Sequence, residues 1–212
     1  MKQVAALFIA CVLSTSASAE LIINGGFEDY DVPGTGNGVS IVDHNVVPGW
    51  ESTNGKIEIW DGYDSYVAAE GDQLVELNSI SQTTLYQLFP TIAGHTYQLS
   101  YDFDARRTNN EKFVVEVTEF SGGLILGSSY IGVNMTPHSW ESGGFQFVAN
   151  SDVSKLSFVS LVSSGVLLDD VSIISLTDPI EFNDGTFLKD VPTPFAAALI
   201  ALFPLLRRIT KK

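Results

Sequence analysis

Residues 97–103, Tyr97-Gln98-Leu99-Ser100-Tyr101-Asp102-Phe103, alternate strictly. Tyr97, Leu99, Tyr101 and Phe103 fall on one face; Gln98, Ser100 and Asp102 fall on the other. Period two with a single apolar face marks a strand of an antiparallel sheet packed on one side. The same alternation returns in Phe113-Val114-Val115-Glu116-Val117. Short apolar or alternating runs predict further strands at 21–23, 56–60, 73–77, 84–89, 113–120, 140–148, 155–161 and 166–174. Turn signals separate them: Asn24-Gly25-Gly26, Pro33-Gly34, Pro48-Gly49, Asn54-Gly55, Ala93-Gly94 and Ser121-Gly122-Gly123. No mid-chain stretch carries a helical period. Roughly eight to ten strands in about 170 residues predict an all-β fold, a two-sheet antiparallel sandwich.

The 212 residues suit one domain, and 45% hydrophobic with 11% aromatic content excludes a disordered chain. Eighteen Gly and 8 Pro without a triplet period exclude collagen. The net charge of -14 argues against a nucleic-acid partner.

Both ends read as addresses. Residues 1–19 have the parts of a signal peptide: Lys2, an apolar run from Val4 to Leu13, and the small-x-small site Ala17-Ser18-Ala19. Phe8-Ile9-Ala10-Cys11 loosely matches a lipoprotein box, but the apolar run continues past it. Cleavage after Ala19 leaves a mature chain from Glu20 without cysteine, so core or metal rather than disulfides must stabilise it. At the other end, Val191-Pro192-Thr193-Pro194 precedes the apolar run 195–206, which Arg207, Arg208, Lys211 and Lys212 follow. As a helix that run rises only about 18 Å against a hydrocarbon core of about 30 Å. Its basic end places the body of the protein outside the cytoplasm. A plain membrane anchor is the alternative to a processed signal. Residues 20–177 are then the domain, 178–190 an acidic linker, and 191–212 the terminal signal and transmembrane anchor. Between the two ends stand 6 basic and 25 acidic side chains. Such a surface repels anionic polymers and attracts divalent cations.

The C-terminal arrangement resembles the PEP-CTERM sorting signal of Gram-negative bacteria, with Thr193 where the usual motif has Glu. The resemblance implies an exosortase-type processing enzyme as partner and delivery to the cell envelope, cell surface or extracellular matrix. A second resemblance covers about residues 21–176. Asn24-Gly25-Gly26-Phe27-Glu28, Pro48-Gly49-Trp50, Glu70-Gly71-Asp72-Gln73-Leu74-Val75-Glu76-Leu77-Asn78, Leu85-Tyr86-Gln87 and Leu167-Leu168-Asp169-Asp170-Val171-Ser172-Ile173 follow in the order found in galactose-binding-like jelly rolls, which include many carbohydrate-binding modules. The family implies a β-jelly roll, a carbohydrate or exopolysaccharide ligand, and a structural Ca2+ held by Glu28 and Asp169 with backbone carbonyls completing the shell. Turn-capping is the alternative role for these two carboxylates. An EF-hand beginning at Asp29 fails, because Ser40 stands where the terminal Glu is required.

Sugar recognition needs flat apolar faces beside hydrogen-bonding groups. Trp60, Tyr63 and Tyr66, around an Asp- and Gly-rich turn, and Arg106 with Arg107 are the candidates. Core packing is the competing role for Trp60, and pairing with an acid for Arg106. Trp50 and Trp140 are assigned to core or sheet edge. His44, His95 and His138 show no metal spacing, and Ser142 in Glu141-Ser142-Gly143-Gly144 lacks a recognisable His partner. No Gly-x-Ser-x-Gly elbow or phosphate loop is present. The sequence therefore predicts an exported, non-catalytic carbohydrate-binding protein. The alternatives are a structural matrix protein that self-associates or binds other proteins, and a glycan hydrolase or lyase.

Overall fold

The computed structural model describes residues 20–177, apart from 34–36, 108–109, 122, 133–134 and 163–164. The predicted leader, acidic linker and terminal signal lie outside the described residues. Within them are eleven strands: β1 Gly38–Asp43, β2 Glu51–Ser52, β3 Lys56–Asp61, β4 Gln73–Glu76, β5 Thr84–Pro90, β6 Thr96–Ala105, β7 Phe113–Glu119, β8 Ile125–Ile131, β9 Glu141–Val148, β10 Val153–Ser160 and β11 Val166–Ser175. The helical elements among the described residues are two 3-10 turns, His44–Val46 and Tyr63–Ser65. All strand pairs are antiparallel. A six-stranded sheet runs β1-β3-β4-β11-β6-β9, and a five-stranded sheet runs β2-β5-β10-β7-β8.

The alternation that predicted β6 is the physical basis of the layering. Tyr97, Leu99, Tyr101 and Phe103 are buried between the sheets, while Ser100 is exposed on the opposite face. Phe113, Val115 and Val117 of β7 and Leu156 and Phe158 of β10 meet them from the five-stranded sheet. Tyr101, Phe113 and Phe158 pack edge to face or tilted, with ring centroids 5.4–6.3 Å apart, a geometry that adds to plain area burial.

The predicted strand at 21–23 is instead an irregular segment stitched to β11. The Leu21 N–H donates to the Ile173 carbonyl and the Val171 N–H to the Gly25 carbonyl. The motif residues hold it down. The Trp50 indole N–H donates to the Asn24 carbonyl at 2.8 Å, and Phe27 packs on the Trp50 ring at 5.2 Å. Gln87, buried on β5, accepts from the Ile23 N–H at 2.7 Å and donates to the Ile23 carbonyl at 3.0 Å. Gln73 donates to the Phe27 carbonyl and accepts from the Val32 N–H. A Cβ on Gly25 would overlap the Val171 carbonyl oxygen, which belongs to backbone and cannot swing aside. Gly25→Ala is therefore expected to cost on the order of 1–3 kcal/mol, read as a lower urea midpoint with unchanged m-value; a neutral result would show that the segment does not hold this register.

Beyond the predicted strands the structure adds β1, β2 and β8. Strict alternation also breaks in β11: the register shifts between Asp169 and Ser172, and Asp170 takes a left-handed φ of 45°. This bulge turns Asp170 out to solvent while Asp169 stays buried.

Candidate functional site

Residues directly opposite on paired strands share a face, so the registers define the outer face of the six-stranded sheet. One row carries Glu58, Glu76, Leu167 and Asp104; the next carries Trp60, Leu74, Asp169, Asp102 and Ser142. Further along come Ser172, Ser100 and Gly144, then Ile174, Gln98 and Gln146.

Residues 62–72 cross the first two rows as a strap. Beneath it Trp60, Tyr66, Leu74 and Leu167 form a second apolar cluster, against which Tyr63, Ala68 and Trp140 pack half-buried. Four side chains pin the strap's backbone or reach from it. Asp169 accepts from the Ala69 and Glu70 N–H groups at 2.8 and 2.9 Å, and Glu28 accepts from those of Asp72 and Gln73 at 2.8 and 2.7 Å. The Trp140 indole donates to the Val67 carbonyl at 2.8 Å, and the Tyr66 hydroxyl donates to the Ala105 and Arg106 carbonyls. Burial pushes the Tyr66 phenol up to about 12, which keeps it a donor.

This geometry corrects the expected aromatic platform. Trp60 is 0% exposed and Tyr66 2%, so neither ring offers a face to a ligand. Trp60 lies in β3, one residue short of the turn, and points under the strap, where its indole N–H meets Glu58 at 2.9 Å. Arg106 follows the competing role. Its Nη1 lies 2.8 and 2.6 Å from the two Glu76 oxygens, and its guanidinium stacks 4.9 Å from the Trp60 ring centre. The Arg107 side chain is exposed, and its backbone N–H donates to Glu111. Tyr63 keeps part of its ring at the surface, edge-on to Trp60. Trp140, assigned to core or edge, proves to be a half-exposed aromatic beside this face; its place directly before β9 was the available signal.

Burial pushes the Glu76 carboxyl up to about 7, and the facing Glu58 charge adds to the effect while Arg106 opposes it. Burial also raises Asp104. Asp169 is likewise raised to about 7 by burial, partly offset by its three N–H partners and reinforced by the Glu28 charge.

Glu28 and Asp169 thus come together, on the same short stretch of strap. Their hard oxygens and mutually repelling charges suit a calcium ion chemically. Among the described residues no cluster of three or more His, Cys, Asp or Glu side chains is arranged to hold a metal. Backbone carbonyls would have to complete any shell, and the five N–H contacts already give both carboxylates the turn-capping role.

The strap leaves one part of the face open. Ser100, Ser142, Gly144 and Gln146 are exposed there and Gln98, Asp102 and Ser172 half-exposed, a shelf of hydroxyl, amide and carboxylate groups on β11, β6 and β9. Three strands make it roughly 10 Å wide between outer strand axes. Trp140 stands where the shelf meets the strap. A separate cavity of about 410 Å³ lies at the end of the sandwich among Leu21, Pro90, Ile92, His95, Tyr97 and Asp152. Its walls are mainly apolar, which suits hydroxyl-rich ligands less well than the shelf.

A family model described as "Protein of unknown function (DUF642)" matches residues 20–174. Among curated proteins, the Arabidopsis thaliana "Protein DUF642 L-GALACTONO-1,4-LACTONE-RESPONSIVE GENE 2" is 29% identical over 182 residues, covering 75% of this chain. The chain spans 47% of that relative's length. Among solved structures, an arabinose-bound GH51 α-L-arabinofuranosidase superposes with a TM-score of 0.55 at 14% identity, over 76% of this chain and 27% of that one. The carbohydrate-binding module TmCBM61, in complex with β-1,4-galactotriose, superposes with a TM-score of 0.53 at 16% identity, over 74% of this chain and 99% of that one. At such identities the likeness establishes a shared jelly-roll fold.

Proposed function

Since the chain belongs to the DUF642 family, whose description is that of a protein of unknown function, the role has to be read from the site, and we propose that the domain is an exported, non-catalytic module that binds carbohydrate on the outer face of its six-stranded sheet. The observation that carries this reading is the shelf itself: an open strip of Ser100, Ser142, Gln98, Gln146 and Asp102 bordered by Trp140, on a jelly roll shared with a galactotriose-binding module. Hydroxyl and amide groups match sugar hydroxyls, and the indole supplies an apolar face for ring C–H groups. The leader and sorting motif support delivery to the cell surface or exopolysaccharide matrix, with an exosortase-type enzyme acting on the C-terminal segment.

The same geometry favours binding over hydrolysis. Glu76 and Asp169, the two carboxyls held near neutrality, are buried beneath the strap, out of reach of a substrate on the shelf.

Calorimetric titration with galactan, xylan and arabinan oligosaccharides tests the reading. Trp140→Ala and Asp102→Ala are each expected to weaken binding about tenfold, which corresponds to roughly 1.4 kcal/mol. Trp60→Ala should leave the affinity of the remaining folded protein within about twofold. Unchanged affinity in both shelf variants would sink the shelf as the site; silence toward every glycan tried would sink the function.

Calcium at Glu28 and Asp169 belongs to the same proposal, as a clip between the N-terminal segment and the strap. An ion present at a hundredfold excess over its dissociation constant stabilises a fold by about 2.7 kcal/mol. Millimolar calcium is thus expected to raise Tm by several degrees and a chelator to reverse the gain. Identical melting curves in the two conditions would remove the ion and leave the carboxylates as turn caps.

A further inference from the structure

The strands of the shelf carry no cation. The Lys and Arg side chains of residues 20–177 are Lys56, Arg106, Arg107, Lys112 and Lys155, and none stands on β11, β6 or β9. Lys56 begins β3, with β4 between it and β11, and Lys155 lies over the Tyr86 ring on the other sheet. Arg106 is spent on Glu76 beneath the strap, while Arg107 and Lys112 lie on the connection from β6 to β7. Carboxylates border the shelf instead. Glu141 opens β9, the β11 bulge turns Asp170 outward, and Glu20 accepts from the Ser172 hydroxyl.

Asp102 differs from the other acids in the rows of this face. Glu58, Glu76, Asp104 and Asp169 are buried, and Asp102 is the one open to solvent. Asp169 is occupied by the Ala69, Glu70 and Asp170 N–H groups. The Asp102 carboxylate accepts no hydrogen bond among the described residues, and it stands directly opposite Ser142 on β9. Trp140 precedes Ser142 by two residues, so a sugar ring seated on the indole brings its hydroxyl edge over Asp102 and Ser142. A carboxylate accepts from two neighbouring hydroxyls at once, in charge-assisted bonds. It has no proton to offer, so an acidic group on the sugar finds no donor there and meets like charge.

We infer, taking the shelf as the binding site proposed above, that Asp102 sets the class of glycan: the shelf takes sugars without acidic groups and refuses uronates and other anionic sugars at contact. The negative charge of the whole domain also pushes anionic polymers away. At physiological ionic strength, however, charges more than about 8 Å apart are largely screened. Repulsion at contact with Asp102 survives that screening, so salt and position separate the two causes.

Calorimetric titration of the full chain, in a polyoxyethylene detergent that carries no sugar head group, tests this with two probes. One is β-1,4-galactan oligosaccharides; the other is the same oligosaccharides with their C6 hydroxymethyl groups oxidised to carboxylates. The pair differs in charge and not in linkage. At pH 8 imidazoles are largely uncharged, which removes His138, two residues from Trp140, as a counter-ion. In salt of physiological strength the oxidised form is expected to bind at least about tenfold more weakly. Asp102→Asn keeps an acceptor and loses the charge, so it should hold galactan affinity within about fivefold and shrink the gap to about threefold or less. Asp152→Asn, at an exposed acid at the end of the sandwich, should leave the gap unchanged. Both variants should keep the parent Tm, since both side chains reach solvent. Equal affinity for the two probes, a gap that survives Asp102→Asn, or one that closes as far with Asp152→Asn would each overturn the inference and leave the shelf standing. Silence toward both probes would strike the shelf itself, and this selectivity with it.

Discussion

Replacing Arg106 by alanine is expected to destabilise the domain by about 3–5 kcal/mol at pH 8, the range seen when one partner of a buried ion pair is removed. Arg106 is the cation that faces Glu76, and Glu58 stands opposite Glu76 on the neighbouring strand. Without the guanidinium two carboxylates confront each other under the strap, and Trp60 loses the cation on its face. The loss should depend on pH in a definite direction. The Glu76 pKa is raised from an ordinary value of 4.5 to about 7, so the folded state holds this proton more tightly than the unfolded one. Its contribution to stability is full below about pH 4.5 and is lost as pH rises through 7. Removing Arg106 raises the folded pKa further, so the variant suffers most where Glu76 would ionise. At pH 4.5 the expected loss shrinks to about 1–2 kcal/mol, the packing and cation–π part. Urea unfolding at pH 4.5 and pH 8 checks this, and Glu76→Gln should flatten the pH dependence of the otherwise unaltered chain. An equal loss at both pH values would mean that Arg106 acts through packing alone.

Trp60→Ala should have an effect of similar size by a different route. The ring is fully buried among Tyr66, Leu74 and Leu167, and truncating a buried Trp typically costs about 3–5 kcal/mol. Glu58 would also lose its indole donor. Because the cluster lies beneath the strap, the damage should concentrate there. Hydrogen exchange at Ala69, Glu70, Asp72 and Gln73, whose amides are held by Asp169 and Glu28, should accelerate more than exchange in β10. Trp140→Ala should do the reverse: a modest stability change with a large loss of glycan affinity. If Trp60→Ala abolished binding in fully folded protein, the two tryptophans would have been assigned the wrong way round.

These two residues show where the sequence was readable. Buried strands announce themselves: β6 carries its apolar side chains on one face, β7 and β10 theirs apart from Val114, Val153 and Val159, and each is located to within a few residues. β1 and β8 are not legible because their apolar residues stay at the surface, as Val39, Ile41 and Tyr130 do, so no buried face stands out; the edge strand β9 still shows one in Phe145 and Phe147. The site was harder. Trp60 sits next to Asp61-Gly62, and such neighbours suggest a solvent-facing loop. Whether a strap folds back over that ring depends on Asp169, about a hundred positions away, and no local pattern reports it. The motif pieces that carry the resemblance turn out to be fasteners: Asn24, Phe27, Trp50, Gln73 and Gln87 bind the N-terminal segment to the sandwich. They identify the fold because they hold it, and for that reason carry little information about a ligand.

β11, the last strand in sequence, lies in the interior of its sheet, between β4 and β6, and also receives the N-terminal segment through Ile173 and Val171. A nascent chain that has emerged only as far as β10 lacks the central plank of the larger sheet, and its first residues have nothing to close against. Completion waits for contacts spanning some 150 residues, the kind of long-range pairing that makes β proteins fold slowly. The domain therefore stays unfinished until β11 has been made, and the export proposed above would meet a chain still threadable up to that point.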